Sequence, residues 1–271
     1  MKDIELLCSS GAFIGRKNGR DHTLFLEIAD TLCADGFEFM MYESWYDKIE
    51  AVISDFKKHA LYTPVLHADK MIGHSIAQGD VNFALQCFEK NCKIANALGA
   101  KTIVLHLWNG PSSDEFIEKN ISSAPQLYSV ADAYGVMLCC ENVVCKNGDP
   151  LDYLYRICER CDNATFTYDT KMSAFHGTQE KVLSIEYSWL WERVRHLHIN
   201  DYGGAVKDWS SLATLHIGQG KIDFAHFFEY MKKINYRGTL TLECTSMGEN
   251  CALYPEKMNE SIKKARQYLA I

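Results

Sequence analysis

The sequence predicts an α/β protein, a single domain over residues 1–271 folded as a (β/α)8 barrel whose eight parallel strands close into one sheet. Short apolar runs recur eight times, each followed by a longer stretch with helical spacing, and strands that alternate with helices pair in parallel. The length of 271 residues matches the roughly 250 that such a barrel needs. A doubly wound open sheet shares the alternation, but no glycine-rich phosphate turn follows the first run, which favours closure.

The predicted strands cover residues 4–8, 37–41, 62–67, 101–107, 136–141, 164–169, 194–199 and 239–243. Most read as near-continuous apolar runs, as strands buried on both faces should. Between them lie helical segments such as 81–98, where Phe83, Ala84, Cys87, Phe88 and Ala95 are expected on one side at three- and four-residue steps. Gly99, Gly135 and Gly238 stand where a helix should stop ahead of the next strand.

Hydrophobic residues make up 47% of the chain and aromatics 12%, ample for a large core, and no polar tract or low-complexity segment marks a linker. The formal charge of −7, from 28 basic and 35 acidic side chains, repels phosphate backbones and argues against nucleic acid as a partner. MKDIELLCSS at the N-terminus has no apolar run of signal or membrane length, so no membrane association is expected and a cytoplasmic location is. In a reducing compartment the eleven cysteines should serve mainly as buried thiols. The CxxC at Cys158 and Cys161 lacks the second pair of a zinc site and reads as structural.

The informative feature is where metal-type side chains fall, because a closed barrel gathers the C-terminal ends of its strands around one axis. Six predicted strands end in such a residue: His67, His106, Glu141, Asp169, His198 and Glu243. A histidine in that place is more often a hydrogen-bonded core residue than a ligand. Carboxylates are almost never buried unpaired, and no arginines stand at the other strand ends to answer Glu141, Asp169 and Glu243. A divalent cation supplies the charge. Three carboxylates with imidazole suit one Mn, Zn, Co, Fe or Mg ion with positions left open for substrate, rather than a closed structural zinc.

These residues lie in LHADK, VLHLWNG, CCENVV, YDTKMSAFHG, HLHINDYGG, HIGQGKIDF and TLECT, and with these motifs the chain resembles, nearly end to end, the xylose isomerase-like TIM barrel superfamily. That superfamily contains sugar and sugar-phosphate isomerases and epimerases together with zinc-dependent AP endonucleases. The resemblance implies a metal quartet of Glu141, Asp169, His198 and Glu243. His67 and His106 match two further histidines that line the site in many members and hold a second zinc in the endonucleases. Two departures stand out. Met172 takes the place of a histidine that contacts the sugar in typical ketose epimerases, and Leu212 and Thr214 replace an Asp and a His of the third zinc site in the endonucleases.

By analogy with the epimerases, the expected chemistry is isomerisation or epimerisation of a small sugar or sugar phosphate through an enediolate. Glu141 and Glu243 would act as the acid/base pair, and Asp169 and His198 would mainly hold the metal. His67, His106, Trp108 and His216 are the expected substrate contacts, with Trp45 as a second candidate apolar wall and His74 and His176 as candidate lid or pocket residues. Asn200 and Asp201 are candidates for orienting His198. Gly203 and Gly204 with Lys207, and Gly220 with Lys221, could offer amides and charge to a phosphate. The alternatives are a zinc-dependent AP endonuclease-like phosphodiesterase, against which the charge and the missing third site argue, and a non-catalytic sugar- or metal-binding barrel, which has no need of paired bases. Homo-oligomerisation is left open.

Overall fold

The computed structural model describes residues 4–109 and 114–270; Gly110, which closes the VLHLWNG motif, lies outside them. The eight strands are β1 (Leu6–Ser9), β2 (Gly36–Met40), β3 (Val65–His67), β4 (Thr102–Leu105), β5 (Met137–Glu141), β6 (Thr165–Asp169), β7 (Val194–His198) and β8 (Thr239–Leu242), ordered in sequence around a closed parallel barrel. All eight expected runs are strands, differing mainly at their ends. The third is shorter than expected because Pro64 has no N–H to give a ladder; its carbonyl still accepts from Lys101 and Thr102.

The chain divides into two compact units, Met1–Glu38 with Asp169–Ile271, and Phe39–Tyr168. In the first, β1 pairs with β2 and β8, and β8 with β7, in a register that sets Ser9 beside Glu38 and His198 beside Thr241. In the second, β3 to β6 pair in order, with His67 beside Val104 and Glu141 beside Thr167. Every residue of β1, β3 and β4 is buried, as parallel strands covered on both faces require.

Helix Val81–Leu98 starts where Asp80 accepts from the Phe83 amide and stops at Gly99, whose φ of 83° suits glycine. Its buried stripe is Ala84, Cys87, Phe88, Asn91, Cys92 and Ala95. Phe83 is 47% exposed, one position off that stripe, whereas Ala84, Cys87, Phe88 and Ala95 lie on it as expected. Gly238 does not end a helix either. Helix Phe224–Lys233 stops five residues earlier and Asn235 takes the left-handed turn; Gly238 is needed because a Cβ there would lie 2.1 Å from the Arg195 carbonyl oxygen. Among the described residues no helix is long and apolar enough to cross a membrane.

The cysteines behave as core thiols. Most are buried, none of those described is in a disulfide, and burial pushes Cys140 and Cys244 up to about 12, far from the thiolate range.

In the second unit, helix Met71–Gln78 is set directly against the chain leaving β4. The fully buried Asn120 donates to the carbonyls of both Gly73 and Leu107, at 2.8 and 2.6 Å. A Cβ on Gly73 would stand 2.4 Å from the His106 carbonyl oxygen and 2.7 Å from that of Leu107. Gly73→Ala should therefore cost about 1–3 kcal/mol, the usual range for overpacking, measured by urea denaturation. Wild-type stability in that variant would show that the approach is not tight.

Candidate metal centre

In the first unit, Glu38 lies at the middle of β2 and is completely buried. One of its oxygens, Oε2, is 3.0 Å from His196 Nε2 and 3.2 Å from His198 Nε2. The two imidazoles sit two residues apart on β7, so they share a face of the strand, with ring centroids 5.1 Å apart. Burial alone would raise the Glu38 pKa, but His198 and His196 outweigh it and hold the carboxyl well below the usual carboxylate range. Burial also lowers the His196 pKa, against the pull of Glu38. One consistent hydrogen-bond assignment is an ionised Glu38 accepting Nε2–H from both imidazoles, with His196 Nδ1 receiving the Thr239 hydroxyl at 2.6 Å.

That assignment decides what the other side of His198 offers. With Nε2–H given to Glu38, Nδ1 carries the lone pair, 3.3 Å from Glu243 Oε2 and 3.9 Å from Asp169 Oδ2. These three ligand atoms lie within 4.8 Å of one another. An imidazolium could donate to Glu243, but Asp169 is beyond hydrogen-bond range of the ring. Three acceptors facing one another fit a cation, and their mix of carboxylate oxygen and imidazole nitrogen suits a hard or borderline divalent ion.

Both carboxylates are aimed by neighbours. Asp169 ends β6 and caps helix Thr170–His176, its Oδ1 accepting from the Met172 amide at 2.8 Å and its Oδ2 from Asn200 Nδ2 at 2.9 Å. Asn200 Oδ1 accepts from the Glu243 amide at 3.0 Å, and Asn200 Nδ2 is 3.5 Å from Glu243 Oε2. Asn200 thus orients Asp169 and Glu243 rather than His198, whose partner is Glu38.

The second unit brings together His67, His106 and Glu141, all buried, with ligand atoms within 4.8 Å of one another. His106 Nε2 is 2.7 Å and His67 Nε2 3.7 Å from Glu141 Oε2, and the two rings meet edge to face at 4.8 Å. Burial pushes the His106 pKa down to about 3 despite Glu141, so the ring is neutral beside the carboxylate. His67 Nδ1 is 3.1 Å from the Ala68 carbonyl, which directs its proton there and turns the Nε2 lone pair toward Glu141.

Other expected residues have different settings. Trp108 exposes none of its surface; its indole N–H donates to the Val143 carbonyl at 2.9 Å and its ring packs edge-on against Tyr153. Trp45 is equally buried, against Phe39 and Tyr42. His216 is buried with Nδ1 2.9 Å from the Ser261 hydroxyl. Asp201 holds the loop beyond β7, accepting at 2.8 Å from each of the amides of Tyr202, Gly218 and Gly220 and at 3.2 Å from Ile222. The Gly220 amide expected to serve a phosphate is therefore already taken by a carboxylate. Gly204 is fixed by packing, since a Cβ there would meet the Tyr202 hydroxyl at 2.3 Å. Glu38 and His196 were not expected as site residues. The signals were a lone acid inside the apolar GFEFM run and the period-two His-x-His of β7.

Comparison with known proteins agrees with this architecture. The xylose isomerase-like TIM barrel family model matches residues 26–270, and the chain belongs to that family. No curated protein matches the chain by sequence. Among solved structures, the chain is similar to a D-tagatose 3-epimerase-like protein, at 19% identity and a TM-score of 0.73, covering 98% of this chain and 97% of that one. It is also similar to D-allulose 3-epimerase from Methylomonas sp. in complex with D-allulose, at 17% identity and TM-score 0.70, covering 98% and 97%. The IOLI protein with a binding zinc atom is similar at 16% identity and TM-score 0.64, covering 98% and 96%.

Asp201 anchors four amides. Hydrogen bonds to a charged group contribute about 1.5–3 kcal/mol each, not additively, so Asp201→Ala should cost roughly 2–4 kcal/mol and speed hydrogen exchange at Gly218 and Gly220. Unchanged exchange at both amides would show that the loop is held by something else.

Proposed function

We propose that this chain, acting as one barrel domain, is a metal-dependent isomerase or epimerase of a small sugar or sugar phosphate. The observation that carries the reading is His198, whose Nε2 is committed to Glu38 while Nδ1 faces Asp169 and Glu243. Family membership and the epimerases among similar solved structures support it. The similarity to the IOLI protein with a binding zinc atom supports the metal.

In this proposal Glu141, Asp169, His198 and Glu243 hold one divalent ion, Mn, Zn, Co, Fe or Mg. Each of the four stands at or directly after the C-terminal end of its strand, the end where barrels of this class carry their chemistry. When bound, the cation supplies positive charge that stabilises an enediolate. Glu243 takes or returns the proton beside the substrate carbonyl, with Glu141 as its counterpart. Asn200 keeps the Glu243 carboxylate in position while Asp169 and His198 stay on the metal. His67 and His106 contact substrate hydroxyls, and His216 remains a candidate contact.

Purified protein should contain a divalent metal, and ketoses or their phosphates incubated with it in deuterated water should gain deuterium next to the carbonyl. Glu243→Gln should abolish the wash-in. Glu38→Gln should weaken metal binding by about 10–100-fold, the usual cost of losing a partner that orients a ligating histidine, read by competition with a chelator. Nicking of abasic DNA with no exchange across the sugar panel would overturn this reading in favour of the endonuclease one.

A further inference from the structure

Lys171 is a charged side chain set inside the first unit. It is 7% exposed, and among the described residues its ammonium has one side-chain partner, the Thr214 hydroxyl at 2.8 Å. The other buried charges of this unit are treated differently. Glu38 has two imidazoles, Asp169 an amide and Asn200, and Asp201 four amides. An ammonium offers three N–H donors, and the Thr214 hydroxyl takes one of them.

The surroundings say where a compensating group would come from. Lys171 is two residues beyond Asp169, and the Thr214 carbonyl accepts from Thr245, two residues beyond Glu243. The ammonium and its hydroxyl are thus attached to the two segments that carry the carboxylates of the candidate metal centre. Because Thr214 Oγ1 accepts from Lys171, its own proton is directed elsewhere and makes a second donor. The alternative anion cradle in the loop beyond β7 is filled, since Asp201 occupies the Gly218 and Gly220 amides.

We propose that Lys171 and Thr214 bind an anionic group of the substrate, so that the sugar handled here is a polyhydroxy carbonyl compound carrying a carboxylate or a phosphate rather than a neutral ketose. This rests on the isomerase reading for the substrate's carbonyl chemistry, but the anion site itself can be tested apart from it. A carboxylate or phosphate would accept from both donors and supply the missing charge.

Two measurements decide it. Binding of inorganic phosphate and of glycolate to the full chain is followed by calorimetry for the wild type, Lys171→Met, Lys171→Arg and Thr214→Val, each checked for folding by circular dichroism. At least one anion should bind, at least tenfold more weakly to the Met variant, with partial recovery in the Arg variant and an intermediate loss in the Val variant. Deuterium wash-in is then compared for ketohexoses, their phosphates and ketohexonates; one anionic class should exceed the neutral sugars at least tenfold in kcat/KM, and Lys171→Met should collapse that ratio through KM. The class that responds separates phosphate from carboxylate. Equal anion binding by wild type and the Met variant, no binding of either anion, or a preference for neutral ketoses would overturn the proposal. Exchange with no compound, alongside Lys171-dependent anion binding, would overturn the isomerase reading alone.

Discussion

Buried negative charge is the constraint around which this chain is arranged. Glu38, Asp169 and Asp201 in one unit and Glu141 in the other are all withdrawn from water. An unanswered buried ion costs several kcal/mol even after relaxation, comparable to a domain's whole stability of roughly 5–15 kcal/mol. Each must therefore be met by donors or by a cation. Asp201 is answered wholly by backbone amides, and its charge is spent on structure. Asp169 and Glu243 are answered only in part by Asn200, and the imidazole between them presents an acceptor. Ligand atoms gathered within 4.8 Å of one another distinguish this place from the loop that Asp201 fills with its own amide bonds.

Glu38 shows how the fold sets the chemistry of a residue it does not expose. On a strand, His196 and His198 point the same way, so one carboxylate on β2 can receive both Nε2 protons. The His196 contact is structural, since its other nitrogen ends at the Thr239 hydroxyl within the same unit. The His198 contact has a further effect, because it fixes the tautomer and so the direction of the lone pair. Had Glu38 been absent, His198 could give its proton to Glu243 at 3.3 Å, and the arrangement would be an ordinary buried ion pair.

The barrel and the residues at the C-terminal ends of its strands were legible because both follow from local patterns: apolar runs of strand length, helical spacing between them, and a polar residue closing each of six runs. What was not legible depends on partners distant in sequence. Glu38 and His196 stand 158 positions apart, and nothing in GFEFM says which strand its acid will face. The setting of Trp108 was hidden for a related reason. A tryptophan after a strand end can face the barrel mouth or turn back into the core, and the Val143 carbonyl and the Tyr153 ring that turn it back come from later in the chain. The glycines beyond β7 could be read as a phosphate cradle until Asp201 was found inside it, since a carboxylate satisfies such amides as well as a phosphate does.

The departure at Met172 takes on a definite meaning beside Lys171. The Met172 amide donates to the Asp169 cap at 2.8 Å, as that of any residue but proline could, so the helix start is indifferent to its side chain. What the side chain loses, relative to a histidine, is a polar contact for a sugar hydroxyl, and Met172 is nearly buried at 8% exposure with no such group to offer. One position earlier the chain places an ammonium whose side-chain partner, among the described residues, is the Thr214 hydroxyl. A site that gives up a neutral hydrogen-bonding group and gains a buried cation has changed the kind of substrate it discriminates, because a hydroxyl cannot offset that charge and a carboxylate or phosphate can. The same substitution pattern would be pointless in a barrel that served only to hold a metal, since an additional positive charge near the ligands opposes cation binding. On the proposed reading, the anionic group of the substrate is the negative charge that Lys171 meets.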